Sequence, residues 1–79
     1  RLVQGVKLRL RFGHDDTGAV MRALDAADAV RLEETFSESA ELEIGVPRTA
    51  AAGLRSVLRD STAGRIRIAG GDESILLPA

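Results

Sequence analysis

Val6-Lys7-Leu8-Arg9-Leu10-Arg11-Phe12 is the stretch that decides the fold. Apolar and cationic residues alternate along it, the period of a strand with one face buried and the other in water. Beyond it the period changes. Val20, Leu24 and Ala27 recur at spacings of four and three, with Met21 and Ala23 beside them, which predicts a helix over roughly Val20 to Ala27. A second strand is expected from Val30 to Phe36. The unit is then written again: Leu42, Ile44 and Val46 alternate, Leu54, Val57 and Leu58 share a helix, and Ile66 and Ile68 share a strand. The order βαββαβ is that of the split-βαβ unit. The fold class expected is therefore α+β, a ferredoxin-like βαββαβ sandwich. Its four-stranded antiparallel sheet should run in the order 4-1-3-2 with two helices on one face. Val6, Leu8, Leu10, Leu42, Ile44, Val46, Ile66 and Ile68 should face Val20, Leu24, Leu54 and Leu58 across the core.

The joints between these elements carry their own chemistry. Gly13-His14-Asp15-Asp16-Thr17-Gly18 reads as a turn whose acidic residues cap the first helix and favour its positive end. That helix should close near Asp28, a residue that tolerates the left-handed conformation. Ser37-Glu38-Ser39 marks a short hairpin. Val46-Pro47 should end the third strand, because proline cannot donate to a ladder. Thr49 or Arg48 is the expected cap of helix two, and Gly64 the C′ glycine of a Schellman motif. Gly70-Gly71 is expected to end the fourth strand. That gives a domain over residues 1–70 and a C-terminal tail over 71–79.

Composition narrows the function classes. Seventy-nine residues make one small domain, able to bury about 60% of its unfolded surface. Phenylalanine is the only aromatic, so the core must be aliphatic. A net charge of −1 gives no overall pull toward nucleic acid or an anionic membrane. No apolar run approaches the ~20 residues of a spanning helix, so no membrane partner is expected. The absence of cysteine fits a cytoplasmic location and excludes a thiolate nucleophile or thiolate metal site. The chain opens on Arg1 beside an immediate strand and reads as a domain cut from something longer.

The search for catalytic groups leaves little. His14 is the sole imidazole, and its neighbours Asp15 and Asp16 lie in the same turn, where adjacent side chains seldom face one another. No nucleophile is tied to it, and one imidazole with two carboxylates falls short of a metal site. Neither G-x-G-x-x-G nor a phosphate-loop lysine follows the glycines. No catalytic residue, metal ligand or cofactor is assigned, and a non-enzymatic role is expected. The hydroxyls of Ser61 and Thr62 are expected to satisfy local carbonyls and amides at a helix end.

The outward sheet face carries the strongest chemical signal. Lys7, Arg9 and Arg11 on strand one and Arg65 and Arg67 on strand four share one phase and form a candidate cationic binding strip. Glu41 and Glu43 on strand three, with Arg31, Glu33 and Thr35 on strand two, complete the face. Cross-strand neutralisation is the simpler reading of these charges, at about 0.2–1 kcal/mol per pair. An anion-binding surface is the sharper one. Base stacking of the RRM kind needs aromatics on the central strands, and Lys7, Arg9, Arg11, Glu41 and Glu43 offer none. Contact with phosphates remains open to the basic half.

The stretch from Phe12 to Arg67 resembles the C-terminal domain of the bacterial YigZ family, related to the IMPACT proteins. The resemblance rests on Phe12 ending strand one, Gly18 opening helix one and Phe36 in strand two. It continues through Leu42-Glu43-Ile44-Gly45-Val46-Pro47, Leu54 and Leu58 at seven and eleven residues past Pro47, and Asp60-Ser61-Thr62-Ala63-Gly64-Arg65. Phe12 and Phe36 depart from the tyrosine more usual in that family, which removes two hydroxyls. The resemblance implies a ferredoxin-like domain similar to those of elongation factor G. It also implies a preceding domain with a ribosomal-protein-like fold, and an accessory binding role toward RNA, the ribosome or a partner domain. Its motifs are turns, caps and core positions, so it implies no functional residue. An ACT-like small-molecule regulatory module, with ligand near Gly13 to Gly18, and a pure dimerisation domain are the alternatives the topology allows.

Overall fold

The computed structural model describes residues 2–78. Its elements are β1 (Leu2–Phe12), α1 (Thr17–Ala26), β2 (Val30–Phe36), β3 (Ala40–Pro47), α2 (Ala51–Ser61) and β4 (Arg67–Pro78). Short 3-10 turns, His14–Asp16 and Arg48–Ala50, precede the two helices. The four strands pair antiparallel in the order β2-β3-β1-β4. This is the ferredoxin-like sandwich the alternation predicts, read from the other edge. β2 coincides with its expected span, β3 ends at Pro47, and α1 starts three residues ahead of Val20.

The core is the aliphatic layer anticipated from the two periods. Leu8, Leu10, Ile44, Val46, Val20 and Leu58 are completely buried, and Val6, Leu42, Leu24, Leu54 and Ile66 nearly so. Ile68 packs against this cluster half-buried, while Phe12, Ala23 and Ala40 complete it. Each large aliphatic side chain placed here contributes on the order of 1.5–3 kcal/mol relative to leaving it in water.

Both helices close by the same device. In α1 the amide of Ala29 donates to Leu24 O at 3.0 Å and that of Asp28 to Asp25 O at 3.2 Å, with Asp28 left-handed at φ 56° as its residue type permits. In α2 the amide of Gly64 donates to Arg59 O at 2.7 Å and that of Ala63 to Asp60 O at 3.4 Å. These are Schellman pairs. Gly64 has the expected positive φ, 79°, but it occupies the second position past the cap; Ala63 holds the C′ place at φ 54°. Thr62, buried among the core residues, seals the junction. Its hydroxyl donates to Leu58 O at 2.9 Å and accepts from the Ile66 amide at 3.2 Å. The N-termini differ from expectation. Thr49 and Arg48 lie within the 3-10 turn, and Ala50 stands at the cap of α2 without a side-chain bond. Asp16 occupies the cap position of α1 but makes no capping bond, because its carboxylate is held by Arg65.

Two bulges reset the sheet. On β2 the register shifts by one residue between Arg31 and Glu33, leaving Leu32 as the extra residue. A one-residue shift inverts the faces. Arg31 therefore stands across from core-facing Ile44 and its Nη1 reaches Met21 Sδ at 3.3 Å, so the outward placement expected for it is corrected, while Glu33 and Thr35 do point outward. On β4, Leu8 pairs with Gly70 and Val6 with Ser74, so Gly71, Asp72 and Glu73 stand opposite Lys7 alone. Gly70 and Gly71 adopt φ 92° and 98°. They are a bulge within the strand, not its end: β4 runs on to Pro78, pairing back to Leu2. This ordered continuation packs Leu77, 3% exposed, onto the outer face of Gly5.

Candidate functional site

Arg9 and Arg11 project from the outer face of β1, opposite Glu43 and Glu41 of β3 on one side and Ala69 and Arg67 of β4 on the other. Strand alternation places them there, and the packed Leu8, Leu10 and Phe12 that alternate with them lock the phase. Lys7 shares the phase but is engaged. Its Nζ lies 2.8 Å from Glu43 Oε1 and 3.9 Å from Glu73 Oε2. The hydrogen bond and charge of Glu43 raise the Lys7 pKa, and the Lys7 hydrogen bond holds Glu43 below the usual carboxylate range. Arg11 is shared between Glu41 Oε1 at 3.5 Å and Ser39 Oγ, to which its Nε donates at 3.1 Å.

Arg65 does not join the strip. It precedes β4, and its Nη2 and Nε donate to the two carboxylate oxygens of Asp16 at 2.8 and 3.3 Å. The Arg65 bond depresses the Asp16 pKa, and Asp16 in turn raises that of Arg65. Since Asp16 is buried, this fork ties the turn before α1 to the start of β4. Its role is to join elements distant in the chain.

Of the expected cations, Arg9, Arg11 and Arg67 are therefore brought together. With Glu41, Ile68 and Ala69 they line an open concavity of about 470 Å³. Neither Arg9 nor Arg67 forms an ion pair among the described residues. Arg11 and Arg67 are direct cross-strand partners, and like charges placed opposite one another weaken a ladder. Toward β2 the face turns acidic, where Arg9 shares a smaller groove with Glu33, Thr35, Glu41 and Glu43.

The remaining sequence candidates sit in bonded surroundings. The His14 Nε2–H donates to Ser37 O at 2.8 Å, stitching the first turn to the β2–β3 hairpin, and the Thr17 hydroxyl donates to His14 O at 2.8 Å. Among the described residues no cluster of three or more His, Asp or Glu is placed to hold a metal ion, and no helix is long and apolar enough to cross a membrane.

A ferredoxin-like domain with a mixed-charge outer sheet face is the class these features define. The family model for a domain of unknown function, DUF1949, matches residues 10–65, and the chain belongs to that family. The matched segment takes in the Asp16–Arg65 fork, Thr62 and both helix closures, and stops before β4. No curated protein matches the chain.

Proposed function

We propose that the chain is a non-catalytic binding domain of a cytosolic YigZ- or IMPACT-type protein, and that its outer sheet face contacts the phosphates of RNA, including ribosomal RNA, through Arg9, Arg11 and Arg67. The single observation that carries this reading is the opposed pair Arg11 and Arg67 with Arg9 beside it, two of the three without an ion pair among the described residues. An anion lying across them relieves a repulsion the sheet otherwise carries. Lys7 and Arg65 are left out because their charges are satisfied within the domain.

The face has no aromatic on which a base could stack, so binding is indifferent to sequence. The flanking Glu33, Glu41 and Glu43 make it weak. In the parent protein a preceding ribosomal-protein-like domain supplies the rest of the contact. Titration of a uridine oligomer into the folded domain at low ionic strength tests the reading. About three phosphate contacts give a log–log salt slope near −2, at roughly 0.7 per phosphate on a single strand. The double substitution Arg9→Gln/Arg67→Gln abolishes binding and leaves the fold intact. No binding by the wild-type domain refutes the proposal and leaves cross-strand neutralisation as the whole account of the face.

A further inference from the structure

We propose that β2 is the edge through which two copies of this chain associate, strand against antiparallel strand, with Arg31 of each opposite Glu34 of the other. Among the described residues β2 pairs only with β3, so its far edge presents an unused row of backbone donors and acceptors. From Arg31 to Phe36 every residue is exposed, including Leu32 at 46% and Phe36 at 51%. A strand that buries so little within its own domain, yet keeps these apolar side chains, has a surface suited to a partner strand.

The sequence of β2 selects a second copy as that partner, and one register for it. Val30 lies on the outer face across from Gly45; Arg31 is on the helix side; beyond the bulge Glu33 and Thr35 point outward, and Glu34 and Phe36 lie on the helix side with Leu42 and Ala40. In an antiparallel pair, opposed residues must share a face. A register centred on Glu33 sets outward Val30 against inward Phe36 and fails this requirement. Sliding one residue further along sets outward Glu33 against inward Glu34 and fails it again.

The register centred between Leu32 and Glu33 meets the requirement on both sides of the bulge. It sets Val30 against Thr35 on the outer face. On the helix side it sets Arg31 against Glu34, and Phe36 against the small Ala29. The two-fold symmetry makes each of these contacts twice. In the single chain Arg31 and Glu34 meet only loosely, Nε to Oε1 at 3.5 Å with both side chains well exposed. A cross-strand partner uses the same charges in better opposition. The bulge and the paired glutamates, which discourage pairing with an unrelated flat strand, thus act as a filter for self.

Sedimentation equilibrium tests the proposal. The wild-type mass should rise with concentration from 8.4 kDa toward twice that value. Arg31→Glu and Glu34→Arg alone each place like charges in opposition and should sediment as monomers. Their equimolar mixture, and the double swap Arg31→Glu/Glu34→Arg, should regain association. Both positions are exposed, and circular dichroism verifies that each variant is folded. A wild-type chain that stays at 8.4 kDa through the millimolar range overturns the proposal. Single variants that associate as well as wild type overturn the interface, and a mixture that stays monomeric overturns the register.

Discussion

Two glycines on the outer face, Gly5 and Gly45, offer a quantitative check on how β4 is seated. A β-carbon added at Gly45 would lie 2.7 Å from Leu77 Cδ2 and 2.8 Å from Ile75 Cδ1, both the free ends of side chains. A β-carbon at Gly5 would lie 2.5 Å from Leu77 Cδ1 and 2.8 Å from the Val46 carbonyl oxygen, which is backbone fixed in the β1–β3 ladder. Overpacking of this kind costs about 1–3 kcal/mol. Alanine recovers roughly 0.5–1 kcal/mol of it by stiffening the unfolded chain, so Gly45→Ala should destabilise by about 0.5–2 kcal/mol.

Leu77→Ala removes a side chain that is 3% exposed and should cost about 2–3 kcal/mol, the low end for a leucine because the site lies at the rim of the sheet and can partly close. The informative measurement is the combination. With Leu77 truncated, the Gly45 methyl keeps only its approach to Ile75 Cδ1, and the pair should fall short of additivity by about 1 kcal/mol. Gly5→Ala should keep most of its cost in the same background, because the Val46 carbonyl cannot withdraw. Urea denaturation followed by circular dichroism resolves these differences, since 1 kcal/mol is also about 4–8 °C in Tm for a domain of this size. Strict additivity for Gly45→Ala with Leu77→Ala, or full rescue of Gly5→Ala, would refute the placement of Leu77.

Thr62→Val should cost about 1–3 kcal/mol, because it strands the Ile66 amide of a buried junction, while Leu58 O keeps the residue-62 amide at 3.2 Å, whereas Thr62→Ser should retain most of the stability; the same urea curves check both. The depressed Asp16 and Glu43 pKa values stabilise the folded state above the unfolded carboxylate pKa, near 4. That contribution is lost as pH falls through the folded values. Asp16→Asn should therefore flatten the acid limb of a stability profile below about pH 4, and an unchanged limb would dismiss the fork as a stabilising contact.

The strand and helix periods were legible because the core is aliphatic and each element buries one clean face. Where the reading failed, the cause was a feature without a local signature. The bulge at Leu32 inverts Arg31, and nothing in Val30 to Phe36 marks the extra residue. The Asp16–Arg65 fork joins residues at opposite ends of the matched segment, and no spacing rule connects them. Gly70-Gly71 reads in sequence as the end of a strand, although glycine inside a strand equally marks a bulge. One signal could have located Leu77. Gly5 and Gly45 both interrupt strands on the outward phase, and glycine there marks a place where another group approaches closely.

The Gly70-Gly71 bulge divides the β1–β4 ladder into two zippers that need not open together. The segment pairing Leu8 to Arg11 with Arg67 to Gly70 is fastened to the main core by Leu10, Ile66 and Ile68. In the segment pairing Leu2 to Val6 with Ser74 to Pro78, Val6 of β1 reaches that core but the β4 side relies on Leu77, while Leu2 and Leu76 remain in water. Separate cooperative units exchange their amides at separate rates. Hydrogen exchange along β4 should thus step at the glycines, with amides beyond them released by a sub-global opening that leaves the four-stranded centre closed.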